Sequence, residues 1–130
     1  MVLDSSVLLA YLLNEPGAER AEKALLKGGL LLSSVNRTEI KGRLVGMGLA
    51  TPQAVDIEFQ NLAQLVEIVA FDLEQSDLAA YYYARRNPYN LSLGDCACLA
   101  LAEARGLPVL TAEQSWAKLP SLPVKVHLIR

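Results

Sequence analysis

Apolar positions in this chain fall into short β-rich runs separated by stretches in which they recur every three or four residues, and the alternation repeats from one end to the other. Residues 1–3 predict a first strand, and 5–13 a helix that gives out at Asn14, Pro16 and Gly17. A second helix is expected over 18–27, stopped by Gly28-Gly29. A strand over 30–33 and a helix over 36–46 follow. Thr51-Pro52 sets an N-cap before a proline at the first helical position, which predicts a helix to about Gln64. Residues 66–71 alternate as a strand, and Asp72 with Gln75 three residues on caps a helix reaching Arg86. After a loop over 87–91 come a helix containing Asp95, a strand over 107–110, a short helix over 111–119 and a last strand over 124–129. Strands alternating with helices throughout predict an α/β fold, a three-layer α/β/α sandwich with a mostly parallel central sheet.

The length of 130 residues suits one domain spanning 1–130, and no linker or repeat divides it. Hydrophobic residues make up 52% of the chain, enough to leave apolar surface for a protein partner. No apolar run approaches the length of a membrane span, so no membrane association is expected. No basic leader with an apolar segment precedes Asp4, and a cytoplasmic location is the expectation. The net charge of −2 advertises no affinity for nucleic acid, so a polyanionic substrate would need local basic groups or bound cations. Cys96 and Cys98, two apart on a helix, point away from each other and read as small core residues rather than a disulfide or half a zinc site.

Four acids occupy similar places. Asp4 comes directly after the first strand, Glu39 lies in the first turns of the helix after the second, Asp95 opens the most apolar helix, and Glu113 follows the strand over 107–110. In a parallel sheet the three that follow strands share one edge, beyond the carboxyl ends where ligands bind. Each alone has an ordinary explanation. Ser92 with Asp95 makes a capping box, Asn36 with Glu39 is box-like, and Thr111-Ala-Glu113 starts a helix in the usual way. Asp4 is the least cap-like, set between Val2-Leu3 and the apolar residues 7–13. Carboxylates crowded in one cleft raise each other's pKa unless a cation neutralises them, and oxygen ligands without His or Cys select Mg²⁺ or Mn²⁺ over zinc. Such an ion activates water and stabilises the charge of phosphoryl transfer, so phosphodiester hydrolysis is the leading inference.

Val2-Leu-Asp4-Ser-Ser6, Ser34-Val-Asn-Arg-Thr-Glu39, Leu91-Ser-Leu-Gly-Asp95 and Leu110-Thr-Ala-Glu113-Gln-Ser-Trp116 resemble the four ordered motifs of PIN-domain proteins. The likeness is closest to the VapC type, the toxin of toxin-antitoxin pairs, and it runs over essentially the whole chain. The resemblance implies a PIN fold and an Mg²⁺- or Mn²⁺-dependent endoribonuclease acting on structured RNA. It assigns Asp4, Glu39 and Asp95 as catalytic, metal-ligating acids that prepare the attacking water. It also implies a homodimer restrained by a VapB-type antitoxin. The fourth motif departs from the family's usual Thr-Ala-Asp, because Glu113 keeps the charge but is longer by one methylene. That leaves open direct ligation, ligation through water, a preference for Mn²⁺ and the number of metal ions.

Around these acids, Ser6 and Thr111 stand where hydroxyls orient carboxylates or cap helices. Arg37, Lys41 and Arg43 surround Glu39 and offer contacts to RNA phosphate, with solvated helix charge as the plainer alternative. Arg85 and Arg86 share that ambiguity. Tyr81-Tyr82-Tyr83 offers stacking for bases, but neighbours on a helix diverge and packing is the expected role; Trp116 reads as packing too. His127, the sole histidine, lies far from the acids and reads as structural, which excludes Ser-His-Asp and Cys-His mechanisms. Three rival readings are a PIN module that binds with little catalysis, a related nuclease acting on DNA, and a phospho-acceptor receiver domain. The last lacks an acidic pair after the first strand, where Asp4 meets Ser5-Ser6.

Overall fold

The computed structural model describes residues 1–130. Five strands, β1 (Val2–Leu3), β2 (Leu30–Ser33), β3 (Val66–Val69), β4 (Val109–Thr111) and β5 (Val126–Leu128), form one sheet in the order β3-β2-β1-β4-β5. Every neighbouring pair is parallel. Six α-helices connect them: α1 (Ser5–Leu13), α2 (Ala18–Lys27), α3 (Ser34–Gly46), α4 (Pro52–Leu62), α5 (Leu73–Ala84) and α6 (Leu93–Arg105), with a short 3₁₀ helix over Gln114–Lys118.

Successive strand residues point to opposite faces, and that alternation makes two cores. Leu3, Leu30, Leu32 and Leu110 pack under α1, α2, α3 and α4. Val2 and Val109 pack with Cys96, Leu99 and Ala100 of α6, Ala79 and Tyr82 of α5, and Trp116. The expected three-layer sandwich is the observed one, with α6 buried along nearly its full length.

Several boundaries differ from the sequence reading, each for a local reason. The fourth strand is Val109–Thr111 rather than 107–110, because Pro108 carries no N–H and Leu107 N still donates to Ala102 O at the end of α6. Thr111 therefore belongs to the sheet, where its carbonyl accepts from Ile129 N, and no helix starts there. The expected helix over 111–119 is reduced to the 3₁₀ segment, leaving Glu113 outside it at the N-cap position. Helix α3 starts at Ser34, capped by Ser33, so Asn36 is interior and the suspected Asn36 cap is absent. β3 ends at Val69 because its partner β2 ends at Ser33; beyond it Phe71 N donates to Ser34 Oγ.

This strand order places the topological switch point between β1 and β4, since the chain runs outward from β1 through β2 to β3 and returns to β4 on the other side. In receiver domains β1 lies between the second and third strands, so the sheet order overturns the receiver alternative.

Candidate active site

The acids gather at that switch point. Asp4, Ser5, Ser6, Glu39, Arg43, Asn90, Ser92, Asp95 and Glu113 line one cleft, together with Leu9. Leu3 is in register with Leu110, and Asp4 N donates to Leu110 O at 3.0 Å, which brings the end of β1 level with Thr111 at the end of β4.

Asp4 occupies the N-cap position of α1 but its side chain caps nothing. Instead Oδ2 accepts from Ser6 Oγ at 2.6 Å and from Thr111 Oγ1 at 2.9 Å. Those hydroxyls are themselves fixed, since Ser6 Oγ accepts from Ala112 N and Thr111 Oγ1 from Glu113 N. Asp4 is 3% exposed. Burial pushes its carboxyl up to about 6; the charges of Asp95 and Glu39 add to the rise, while the Ser6 and Thr111 hydrogen bonds oppose it.

Glu39 is aimed by a separate set of donors. Its Oε1 accepts from Ser5 Oγ at 2.7 Å and from Asn36 Nδ2 at 2.8 Å. Asn36, fully buried, also donates to Gly94 O at 3.0 Å and so ties α3 to the first turn of α6. Its Oδ1 has no partner. A Cβ on Gly94 would collide with the Glu39 carboxyl, so glycine there gives that carboxylate its space.

Asp95 is held by its own helix start. Ser92 Oγ accepts from Asp95 N, and Asp95 Oδ2 accepts from Ser92 N at 2.8 Å, a complete capping box. Burial raises its carboxyl, the Ser92 hydrogen bonds lower it, and the charges of Glu113 and Glu39 raise it further. The Glu113 side chain lies exposed on the cleft wall and takes no hydrogen bond from the chain.

One pattern runs through the three inner acids. Each uses a single carboxylate oxygen on protein donors, Oδ2 of Asp4, Oε1 of Glu39 and Oδ2 of Asp95, and leaves the other free of them. This donor set fits a hard divalent cation, being all oxygen, partly buried, mutually repelling and rigidly oriented. No three His, Cys, Asp or Glu side chains close into a cage about one point, so the set suits an ion that keeps several of its own waters.

Of the other candidates, Arg43 lines the cleft. Arg37 and Lys41 are turned to Asp56 of α4 at 3.1 and 2.6 Å and do not line it, which corrects their placement as cleft cations. Asp56 is held below its ordinary value, chiefly by the Lys41 hydrogen bond. Trp116 and Tyr82 are buried, whereas Tyr81 and Tyr83 are exposed under the guanidinium groups of Arg85 and Arg86. His127 is exposed on β5 and away from the acids. Both cysteines are buried and unbridged, with burial and then the charge of Asp4 pushing the Cys98 thiol well up.

Sequence reasoning missed Ser5, Asn36, Asn90 and Gly94. Gly94 left a signal, since a glycine inside the first turn of an otherwise strong helix costs stability and calls for a reason.

Residues 1–122 match the PIN domain. Ribonuclease VapC of Mycolicibacterium smegmatis is 31% identical over 114 residues, covering 85% of this chain and 88% of that protein. Ribonuclease VapC30 of Mycobacterium tuberculosis is 32% identical over 114 residues, covering 85% and 87%. Among solved structures, DNA-bound VapBC from Salmonella typhimurium superposes with a TM-score of 0.74 at 17% identity, over 99% of this chain and 97% of that one. VapBC-5 of Mycobacterium tuberculosis gives 0.60 at 23% identity, over 99% and 96%. The chain belongs to the PIN-domain family. Within that family its relatives place it in the VapC group.

Proposed function

We propose that this protein is a metal-dependent endoribonuclease that cuts structured RNA, working in the cytoplasm as a single PIN domain over 1–130 and as the toxin partner of a VapB-type antitoxin. The observation that carries the reading is the set of three inner acids at the switch point, each with one oxygen fixed and one free. The names of the VapC ribonucleases to which the chain is similar support it.

Asp4, Glu39 and Asp95 would hold Mg²⁺ or Mn²⁺, with Glu113 completing the set directly or through water. When bound, such an ion supplies activation of water and neutralises charge on the phosphoryl oxygens. The chain supplies the rest. Ser6 and Thr111 fix Asp4, Ser5 and Asn36 fix Glu39, and the α6 capping box fixes Asp95. Arg43, in no ion pair, meets the negative charge of the RNA phosphate in the cleft. Where Glu113 meets the ion only through water, its carboxylate, bound by no donor, would take the proton of the attacking water, and solvent would protonate the ribose oxygen as its bond to phosphorus breaks.

The test is cleavage of a pool of structured RNAs by partner-free protein with Mg²⁺, Mn²⁺ or EDTA, beside Asp95→Asn. Cleavage that needs metal and vanishes in the folded variant supports the reading. The longer Glu113 favours one rival, a PIN module that binds without useful catalysis. That rival gains if wild type stays inert towards RNA while titration still shows tight metal binding, and preferential cutting of DNA would move the substrate.

A further inference from the structure

Beside the acid cleft lies a second cavity of about 310 Å³. Its walls come from the end of α5, the loop before α6 and the segment between the 3₁₀ helix and β5. Leu91 is buried in it, Tyr89, Leu119 and Leu122 are half-buried, and Arg85, Asn87 and Ser121 are exposed. It shares a wall with the cleft. Tyr89 and Leu91 line the cavity while Asn90 and Ser92 line the cleft, and the positive φ of 56° at Asn90 turns the chain between them.

The two segments that line this cavity, 85–91 and 119–123, contain Arg85 and Arg86 and no Asp or Glu, and Lys118 and Lys125 flank the second of them. In a chain of net charge −2 they form a locally cationic zone next to an acidic cleft. The Arg85 guanidinium lies 3.6 Å from the centroid of the Tyr81 ring at the cavity mouth, so a flat cationic face is held ready for stacking. Unstacked RNA bases are bound in this way, on aromatic rings and guanidinium planes, while the backbone follows positive charge.

We propose that this cavity is a nucleobase subsite. It takes one base of the RNA strand whose phosphate lies in the acid cleft, and so selects where that strand is cut. The proposal rests on the nuclease reading above. Tyr89 and Leu122 form its apolar walls and Arg85 its stacking face.

The test begins with amide NMR titration of the full metal-free chain with the four nucleoside 5′-monophosphates, ribose 5-phosphate and an acidic peptide. The expected result is perturbation of residues 85–91 and 119–123 by at least one nucleotide and not by ribose 5-phosphate, abolished in Leu122→Trp, which fills the cavity. Cleavage of a randomised RNA, with the ends sequenced, then reads selection. Leu122→Trp and Arg85→Ala should flatten the base preference at one position flanking the cut and raise KM about tenfold, with kcat nearly unchanged. Response to ribose 5-phosphate alone, to the acidic peptide alone, or to nothing overturns the subsite. An unchanged cleavage profile in active Leu122→Trp also overturns it and leaves the nuclease standing. Inert wild type overturns both, which separates the two failures.

Discussion

Asp4 carries a charge that the folded chain barely tolerates without a counter-ion, and this has a measurable pH signature. Folded, its carboxyl holds a proton up to about 6; its ordinary value is 3.8. Between those values the folded chain keeps a proton that the unfolded chain has released, so the metal-free protein loses stability as pH rises through that window, by up to about 3 kcal/mol from this group. Asp4→Asn, which can still accept from Ser6 and Thr111, should therefore be more stable than metal-free wild type at about pH 7, with the difference gone below about pH 4. Urea unfolding at several pH values checks it; a gap that does not change with pH would mean that folding leaves the Asp4 carboxyl at its ordinary value. Gly94 gives a second prediction. Gly42→Ala, in the open middle of α3, should stabilise by about 0.5–1 kcal/mol. Gly94→Ala should instead cost about 1–3 kcal/mol, and displacing Glu39 should weaken metal binding more than about tenfold. Calorimetric metal titration of the two variants compares them directly. The four acids were legible in the sequence from their places at or near expected helix starts, three of them after strands, whereas Ser5 and Gly94 were not, because they act on Glu39 across 34 and 55 residues, which local pattern does not register; Asn36, three residues from Glu39, was read as a cap and not as its donor.

Helix α6 sets its own start and presents Asp95 with the same carboxylate, so cap and candidate ligand are one residue used through two oxygens. The two uses can be separated. Asp95→Asn keeps an acceptor for Ser92 N and removes a charge that burial disfavours, so thermal stability should stay within a few degrees of wild type while metal affinity and cleavage are lost. Ser92→Ala should do the reverse, costing about 1 kcal/mol through the lost cap, as Thr51→Ala should on α4, with metal binding largely kept because Ser92 N still holds Oδ2. Equal loss of stability in Asp95→Asn and Ser92→Ala, with metal affinity unchanged in both, would make Asp95 a cap and no more. Most elements were readable from caps and breakers, as Thr51-Pro52, Asp72 and Gly28 each stand at an observed helix end. The misplaced start at Thr111 came from a tertiary partner. Its carbonyl accepts from Ile129 N and its hydroxyl donates to Asp4, so the sheet claims a residue whose local sequence resembles a helix start.

Leu26, Ile68, Tyr81 and Tyr83 aside, the large apolar side chains left exposed across the whole molecule fall in two sets. Leu73 and Leu93, at the starts of α5 and α6, are 79% and 61% exposed. The other set accompanies a groove of about 260 Å³ formed by Leu12 and Leu13 of α1, Leu44 of α3, Leu49 and Ala50 of the following turn, and Ala54 and Val55 of α4. Met47, Leu49 and Ile57 stand exposed on these same elements. A groove with only Glu58 charged in its lining fits the apolar face of an amphipathic segment, and the antitoxin proposed above is the partner to test against it. Leu49 is the residue to change, because it is 54% exposed and contributes to the groove without closing a core. Leu49→Glu should leave the unfolding curve of the free protein within about 0.5 kcal/mol, as surface substitutions do. It should weaken antitoxin binding by about 2 kcal/mol or more, roughly thirtyfold, because a buried carboxylate would face an apolar partner. Isothermal titration of wild type and variant with the purified antitoxin measures this, and the groove reading fails if the two bind alike. RNA cleavage by the free variant should equal wild type, since Leu49 belongs to neither the acid cleft nor the cavity beside it; inhibition by antitoxin alone should be lost, which would place the antitoxin's hold on residues outside the cleft.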